Sequence, residues 1–187
     1  MAQVVHSTRT VVLPYRKQSG GSYRIRHFYE STAISTAVIR AGDVVQFDVN
    51  VSTANHRIVK SSTMANVPNV LSTAFLGVAA ETSTSDGGTT GLDTNQRKIG
   101  VYLANPDTEF LWPTKLGGAN HLSSLVGSRR AIGYDSTLGM FYCDAGNSTA
   151  GDASLVVTDV IDAGTTNGFV AAKFLSTACA RLISAAF

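Results

Sequence analysis

Apolar residues recur along this chain mostly at every second position, and the runs they form are short. In residues 44–51, Val45, Phe47, Val49 and Val51 fall on one side and Gln46, Asp48 and Asn50 on the other. That alternation predicts a half-buried antiparallel strand. Residues 74–80 are apolar throughout, which predicts a strand buried on both faces, and Gly77 inside it signals a bulge or a close backbone approach. Further strands are predicted at 56–60, 98–104, 108–113, 130–135, 138–143, 154–162 and 169–175. They are separated by turn chemistry such as Asn105-Pro-Asp107, the Asp135 cluster and the Gly164 to Gly168 segment. Leu122, Leu125 and Val126 have helix-like spacing and predict one short helical turn, and the tail from Ala178 reads as a last strand or a short helix. The fold class that follows is all-β, a small antiparallel barrel or sandwich. No motif-level repeat is visible; the tripeptide Ser-Thr-Ala recurs, but as a by-product of composition.

The pattern divides the chain into an extended N-terminal arm, residues 1–33, and a barrel domain, residues 34–187. Within the arm, residues 23–30 place Tyr23, Ile25, His27 and Tyr29 on one side and Arg24, Arg26, Phe28 and Glu30 on the other. Residues 81–97 are too polar to pack and predict a mobile loop at a surface tip.

Composition sharpens this picture. The 187 residues are 44% hydrophobic and 15% charged, with 17 glycines, enough apolar content for a core without staples. Formal net charge is +2, of which residues 1–30 carry +4, from five basic residues against Glu30, leaving −2 for the rest. A basic arm before a weakly acidic body suits an acidic protein surface. A nucleic-acid module would carry a basic stripe on its folded face as well, so nucleic acid is not an expected partner. No apolar run is long enough to span a membrane and the first residues lack a signal-peptide core. The expectation is a soluble chain made and used without export.

Chemistry is hard to find. Cys143 and Cys179 lie far apart and read as two free thiols. His6, His27, His56 and His121 are isolated, without a partner at metal-ligand spacing. No nucleophile elbow, P-loop or zinc-protease helix is present. Asp43 and Asp48 stand five apart on opposite strand faces, so they form no carboxylate pair. Neither catalytic residues, nor a metal, nor a cofactor are expected.

The order of segments from Ala41-Gly-Asp-Val-Val45 through Arg57-Ile-Val-Lys60, Phe75-Leu-Gly-Val-Ala79 and Ile99-Gly-Val-Tyr-Leu-Ala104 to Thr108-Glu-Phe110 resembles the small β-barrel decoration proteins of tailed phages. The resemblance covers residues 38–112. It implies a barrel of β-tulip type on the outer capsid surface of a virion, assembled in the bacterial cytoplasm. It also implies a homo-oligomer, often a trimer, whose partner is the major capsid protein, with no cofactor and no catalysis. The arm then supplies the candidate capsid contacts, Arg9, Tyr15, Arg16, Lys17, Tyr23, Arg24, Arg26, Phe28 and Tyr29, because aromatic and Arg side chains give contact area at low entropic cost. Trp112, His121, Leu122 and Leu125 are the candidate oligomer contacts. The alternative is a head-fibre or tail module that binds a receptor or carbohydrate through loops 81–97 and 114–128.

Overall fold

The computed structural model describes residues 11–30, 38–47, 57–60, 75–82, 98–115, 123–149, 153–161 and 168–177. Among them are β1 (Leu13–Lys17), β2 (Ile25–Glu30), β3 (Val44–Phe47), β4 (Arg57–Lys60), β5 (Phe75–Ala79), β6 (Lys98–Leu103), β7 (Thr108–Lys115), β8 (Arg129–Asp135), β9 (Met140–Asp144), β10 (Ala153–Val160) and β11 (Phe169–Phe174). The only helical piece among them is the 3-10 turn Ser123–Leu125, where the sequence predicted a single turn. The chain is all-β. Residues 83–97 of the expected loop 81–97, the tail beyond 177, and Asp48, Cys179, His6, His56, Arg9, His121 and Leu122 lie outside the described residues.

Strands β2, β4, β3, β5 and β6 close into a barrel in that order, with β2 and β4 parallel and the other pairs antiparallel. Strands β7, β11, β10, β8 and β9 form a second sheet. Its ends also meet, because β9 runs parallel to β7 at Thr114 and Lys115. Strand β1 pairs with β7 at residues 108–111. Thr114 N–H donates to the Gly168 carbonyl before β11. By the two-residue period, positions 109, 111 and 115 of β7 therefore face the opposite edge, which β1 and β9 share end to end.

These two rings are one pairing diagram drawn twice. With β2 to β6 set against β7 to β11, the pair Phe28↔Ile99 becomes Trp112↔Val170, and Phe47↔Ile58 becomes Ile132↔Cys143. Leu76 is the extra residue of a bulge opposite the Val45–Gln46 step, and Ser154 is the extra residue at the same place in β10. Each bulge carbonyl accepts an N–H from just beyond the next strand, Ala104 to Leu76 at 2.8 Å and Leu175 to Ser154 at 2.9 Å. The turns into β3 and β8 also coincide. Gly42 N–H donates to Ala79 O at 2.9 Å and Gly127 N–H to Val157 O at 2.8 Å, and the Asp43 and Ser128 N–H groups turn back to the carbonyls of Arg40 and Leu125. The repeat is structural, since Gly42 with Gly127 and Val78 with Val156 are the only identical pairs among the equivalent described residues. A tight turn joins the units: the Asn105 side-chain oxygen accepts the N–H groups of Asp107 at 2.8 Å and Thr108 at 2.9 Å.

Gly42 and Gly127 both hold positive φ, 84° and 82°. A Cβ at Gly127 would meet nothing within 4 Å, whereas one at Gly42 would stand 2.5 Å from the Val11 Cβ. Gly127→Ala is therefore expected to cost about 1 kcal/mol of backbone strain alone. Gly42→Ala is expected to cost roughly 2–3 kcal/mol because steric overlap adds to the strain. Urea unfolding of the two variants checks this, and equal losses would contradict it.

Two cores result. The first barrel encloses Phe28, Ile39, Val45, Ile58, Leu76, Ala79, Ile99 and Val101. The second core contains Phe110, Trp112, Cys143, Leu155, Val157, Val170, Ala172 and Phe174, and it extends to Val44, Phe75 and Val78 on the outer face of the first barrel. Phe174 is the junction, with the rings of Phe110 and Trp112 at 5.5 Å and that of Phe75 at 6.0 Å. The wholly buried run expected around Gly77 is thus real: residues 75–79 face their own barrel on one side and the second unit on the other.

The division into an arm and a barrel needs revision on this geometry. Of the expected arm, residues 13–17 form a strand on the second unit and residues 25–30 are a stave of the first barrel. Residues 23–30 were expected to be extended within a free arm; residues 25–30 are extended, but as a barrel strand whose Phe28 fills the barrel rather than meeting a partner.

Candidate interaction surface

Strand β1 is held on β7 by charge as well as by backbone pairing. The Arg16 guanidinium bonds the Glu109 carboxylate, whose side chain is 1% exposed while that of Arg16 is 49% exposed. Gln18 donates to the other Glu109 oxygen at 3.4 Å, and Arg16 also lies 3.9 Å from Asp159. Lys17 stands 3.9 Å from Asp107, which accepts the Ser19 N–H at 2.9 Å and the Ser19 hydroxyl. Those Ser19 hydrogen bonds, with the Lys17 charge behind them, hold the Asp107 carboxyl below its ordinary range. Arg16 and Lys17, expected as capsid contacts, are therefore engaged within the chain.

The outward side of the same segment is different in kind. Among the described residues, Leu13, Tyr15 and Ile25 are exposed large apolar side chains, at 47%, 42% and 46%. Arg16 lies 5.6 Å over the Tyr15 ring. Gly20 and Gly21, with φ of 70° and 79°, reverse the chain after β1, and the Gly20 N–H closes on the Lys17 carbonyl at 3.1 Å. The chain then enters β2 through Tyr23, which meets Tyr102 edge-on at 6.1 Å. Arg24, Arg26 and His27 follow, all exposed, and Tyr29 carries Lys98 at 4.9 Å over its ring. Aromatic, apolar and guanidinium groups are thus interleaved from Leu13 to Tyr29 on strands fixed by two sheets.

Three expected contact residues belong to cores instead. Phe28 is inside the first barrel, edge-on to Phe47 at 5.8 Å. Trp112 is 0% exposed, with its indole N–H donating to the Ala172 carbonyl at 3.3 Å, and Leu125 is 7% exposed under the 3-10 turn. Large apolar side chains look the same in sequence whether they fill a core or a contact. Glu109 and Asp107, the anchors of β1, were not singled out from sequence, since their partners lie 93 and 88 positions away.

A second polar group closes the β8–β9 hairpin. Lys115 bonds Asp135 at 3.0 Å and lies 5.6 Å from the Tyr142 ring centre. Asp135 also accepts the N–H groups of Thr137 and Leu138. The Leu138 N–H first, then Lys115, keep its carboxyl below the ordinary value. All of this is explained by the hairpin. Among the described residues, no group of three or more His, Cys, Asp and Glu could hold a metal ion.

Cys143 is a free thiol, 0% exposed, and burial pushes its pKa up to about 12. Its folded pKa lies above the unfolded value, so the associated stability is present below about pH 9 and is lost as pH rises toward 12. A thiol reagent at pH 8 is expected to leave Cys143 unmodified in the native protein and to reach it in denaturant; peptide mapping of the labelled protein distinguishes it from Cys179.

Comparison with protein-family models, curated proteins and solved structures returned no match for this chain.

Proposed function

We propose that the protein is a structural virion component that binds the outer surface of a phage capsid and cements neighbouring major capsid subunits. The observation that supports this reading best is the exposed run of mixed side chains on β1 and β2, with Leu13, Tyr15 and Ile25 beside Arg24, Arg26 and His27. Rings, exposed aliphatics and guanidinium groups on fixed strands are what a protein surface recognises. Among the described residues Arg24 and Arg26 are exposed and meet no carboxylate, and they would meet an acidic capsid groove. On a closed shell, many copies make modest single contacts sufficient through multivalency.

Deleting residues 1–30 would remove β1 and a barrel stave, so the test must be gentler. Purified protein mixed with empty expanded phage heads should co-sediment and saturate at a fixed number of copies per shell. The double variant Arg24→Glu with Arg26→Glu should remain folded by circular dichroism and lose most of that binding. Absence of wild-type binding to heads, combined with binding on a glycan array, would replace this reading with the receptor-binding one.

A further inference from the structure

The internal repeat shows what one strand edge is for. In the second unit, β7 receives β1 along residues 108–111, and β9 takes over at Thr114 and Lys115. The equivalent strand in the first unit is β2, shifted by 84 positions, so that Thr108, Glu109, Phe110 and Leu111 correspond to Arg24, Ile25, Arg26 and His27. On this strand β4 covers Tyr29 and Glu30, as β9 covers the end of β7. Among the described residues, no strand stands where β1 would.

That edge is presented for pairing. Leu103 N–H donates to the Arg24 carbonyl at 3.2 Å, which turns the hydrogen-bonding groups of residues 24, 26 and 28 toward β6. By the two-residue period the N–H and C=O of Ile25 and His27 face the other way. The Ile25 and His27 side chains flank Gly100 on the outer face; a Cβ there would meet them at 3.2 and 3.5 Å. Among the described residues nothing pairs with this edge, and an edge of this kind is a template for an added strand.

We infer that the β2 edge at residues 24–27 accepts an extended segment of a partner protein, one that alternates acidic and apolar side chains. The chemistry of the edge selects this occupant over a second copy's β1. Where β7 meets the basic β1 with Glu109 and Asp107, β2 has Ile25 and Tyr23, and its flanking residues are Arg24 and Arg26. Another Leu-Pro-Tyr-Arg-Lys strand would bring like charges together, whereas an acidic strand places carboxylates beside the two guanidinium groups and apolar side chains beside Ile25 and His27. The strand pairing stands on the chain's own geometry; that the donor is a capsid subunit rests on the function proposed above.

The probe is a short peptide alternating glutamate and valine, with a lysine–valine peptide as its counterpart, added to the full-length protein. Amide hydrogen exchange at Ile25 and His27 should slow with the acidic peptide and not with the basic one. Arg24→Glu with Arg26→Glu should weaken acidic-peptide binding by roughly tenfold and favour the basic peptide. His27→Pro should abolish binding while the protein stays folded, since it removes only an N–H that points away from β6. Three outcomes would overturn the inference: no protection at these two amides, equal protection by both peptides, or protection that appears without peptide as protein concentration rises, which would make the occupant a second copy. If His27→Pro binds phage heads as wild type does, the edge inference fails and the capsid reading stands. If the acidic peptide protects but no heads are bound, the reverse holds.

Discussion

Trp112→Ala should lower the unfolding free energy by about 3–5 kcal/mol, the cost of emptying a large, fully enclosed aromatic site. Trp112 is 0% exposed and packs against Phe174, which in turn touches Phe110 and Phe75. Phe75 comes from the outer face of the first barrel, so the loss should not be confined to the second unit. Both units are expected to unfold together, at a lower urea midpoint, in a single transition. Far-UV circular dichroism is the appropriate probe, because Trp112 is the chain's one tryptophan and its removal silences the fluorescence. The milder Trp112→Phe installs the residue that the first barrel uses at the equivalent position, Phe28, and should cost roughly 1–2 kcal/mol. Two separated transitions in wild type would contradict the shared core.

Gly77→Ala should be as damaging, for the opposite reason. A Cβ at Gly77 would lie 1.9 Å from the Tyr102 carbonyl oxygen and 3.0 Å from the Ala104 nitrogen, and both are backbone atoms held by β-pairing. Neither can rotate away, so the strands must separate locally, at an expected cost of about 3 kcal/mol or more. The equivalent residue in the second unit is Leu155, 0% exposed, where Leu155→Ala removes volume and should cost roughly 2–5 kcal/mol. One position in the repeat thus tolerates no side chain in the first unit and needs a large one in the second. Urea titration of both variants checks the pair; a neutral Gly77→Ala would show that β5 and β6 are less closely apposed than the geometry requires.

This divergence explains why the repeat is invisible in the sequence. Val44, Phe75, Val78 and Tyr102 of the first unit correspond to Arg129, Ala153, Val156 and Lys173 of the second. The first set packs against the neighbouring unit, so it is apolar or aromatic; the second set is not covered in this way, so it includes two charges. Three of these four equivalent positions, all but Val78 and Val156, carry unlike residues, because only one of the two outer faces is buried. What the repeat preserves is backbone geometry, a positive-φ glycine at one turn and a bulge at one strand, and these leave few marks in residue identity.

Local chemistry was the legible part. Period-two alternation located β3, short segments between turn clusters located β6, β8 and β11, and the Asn105 and Asp135 turns were readable because their side chains bond backbone groups two and three residues on. The basic and aromatic content of residues 9–29 was also in plain view. How these residues are used was not. Arg16 and Lys17 are taken up by Glu109 and Asp107, while Arg24 and Arg26 remain outside, a difference decided by which residues stand opposite them in the folded sheets.

The sequence by itself therefore determined that the chain is all-β, where most of its strands begin and end, and which types of contact its surface can offer, since alternation and turn chemistry act within a few residues. Tertiary structure alone decided that the strands close into two like units, that Phe28, Trp112 and Leu125 fill cores, and that among the described residues no strand pairs with β2 at residues 24–27 on the side away from β6. Those outcomes depend on pairings between residues far apart in the chain, and the two-residue period that reveals a strand carries no information about which strand will lie beside it.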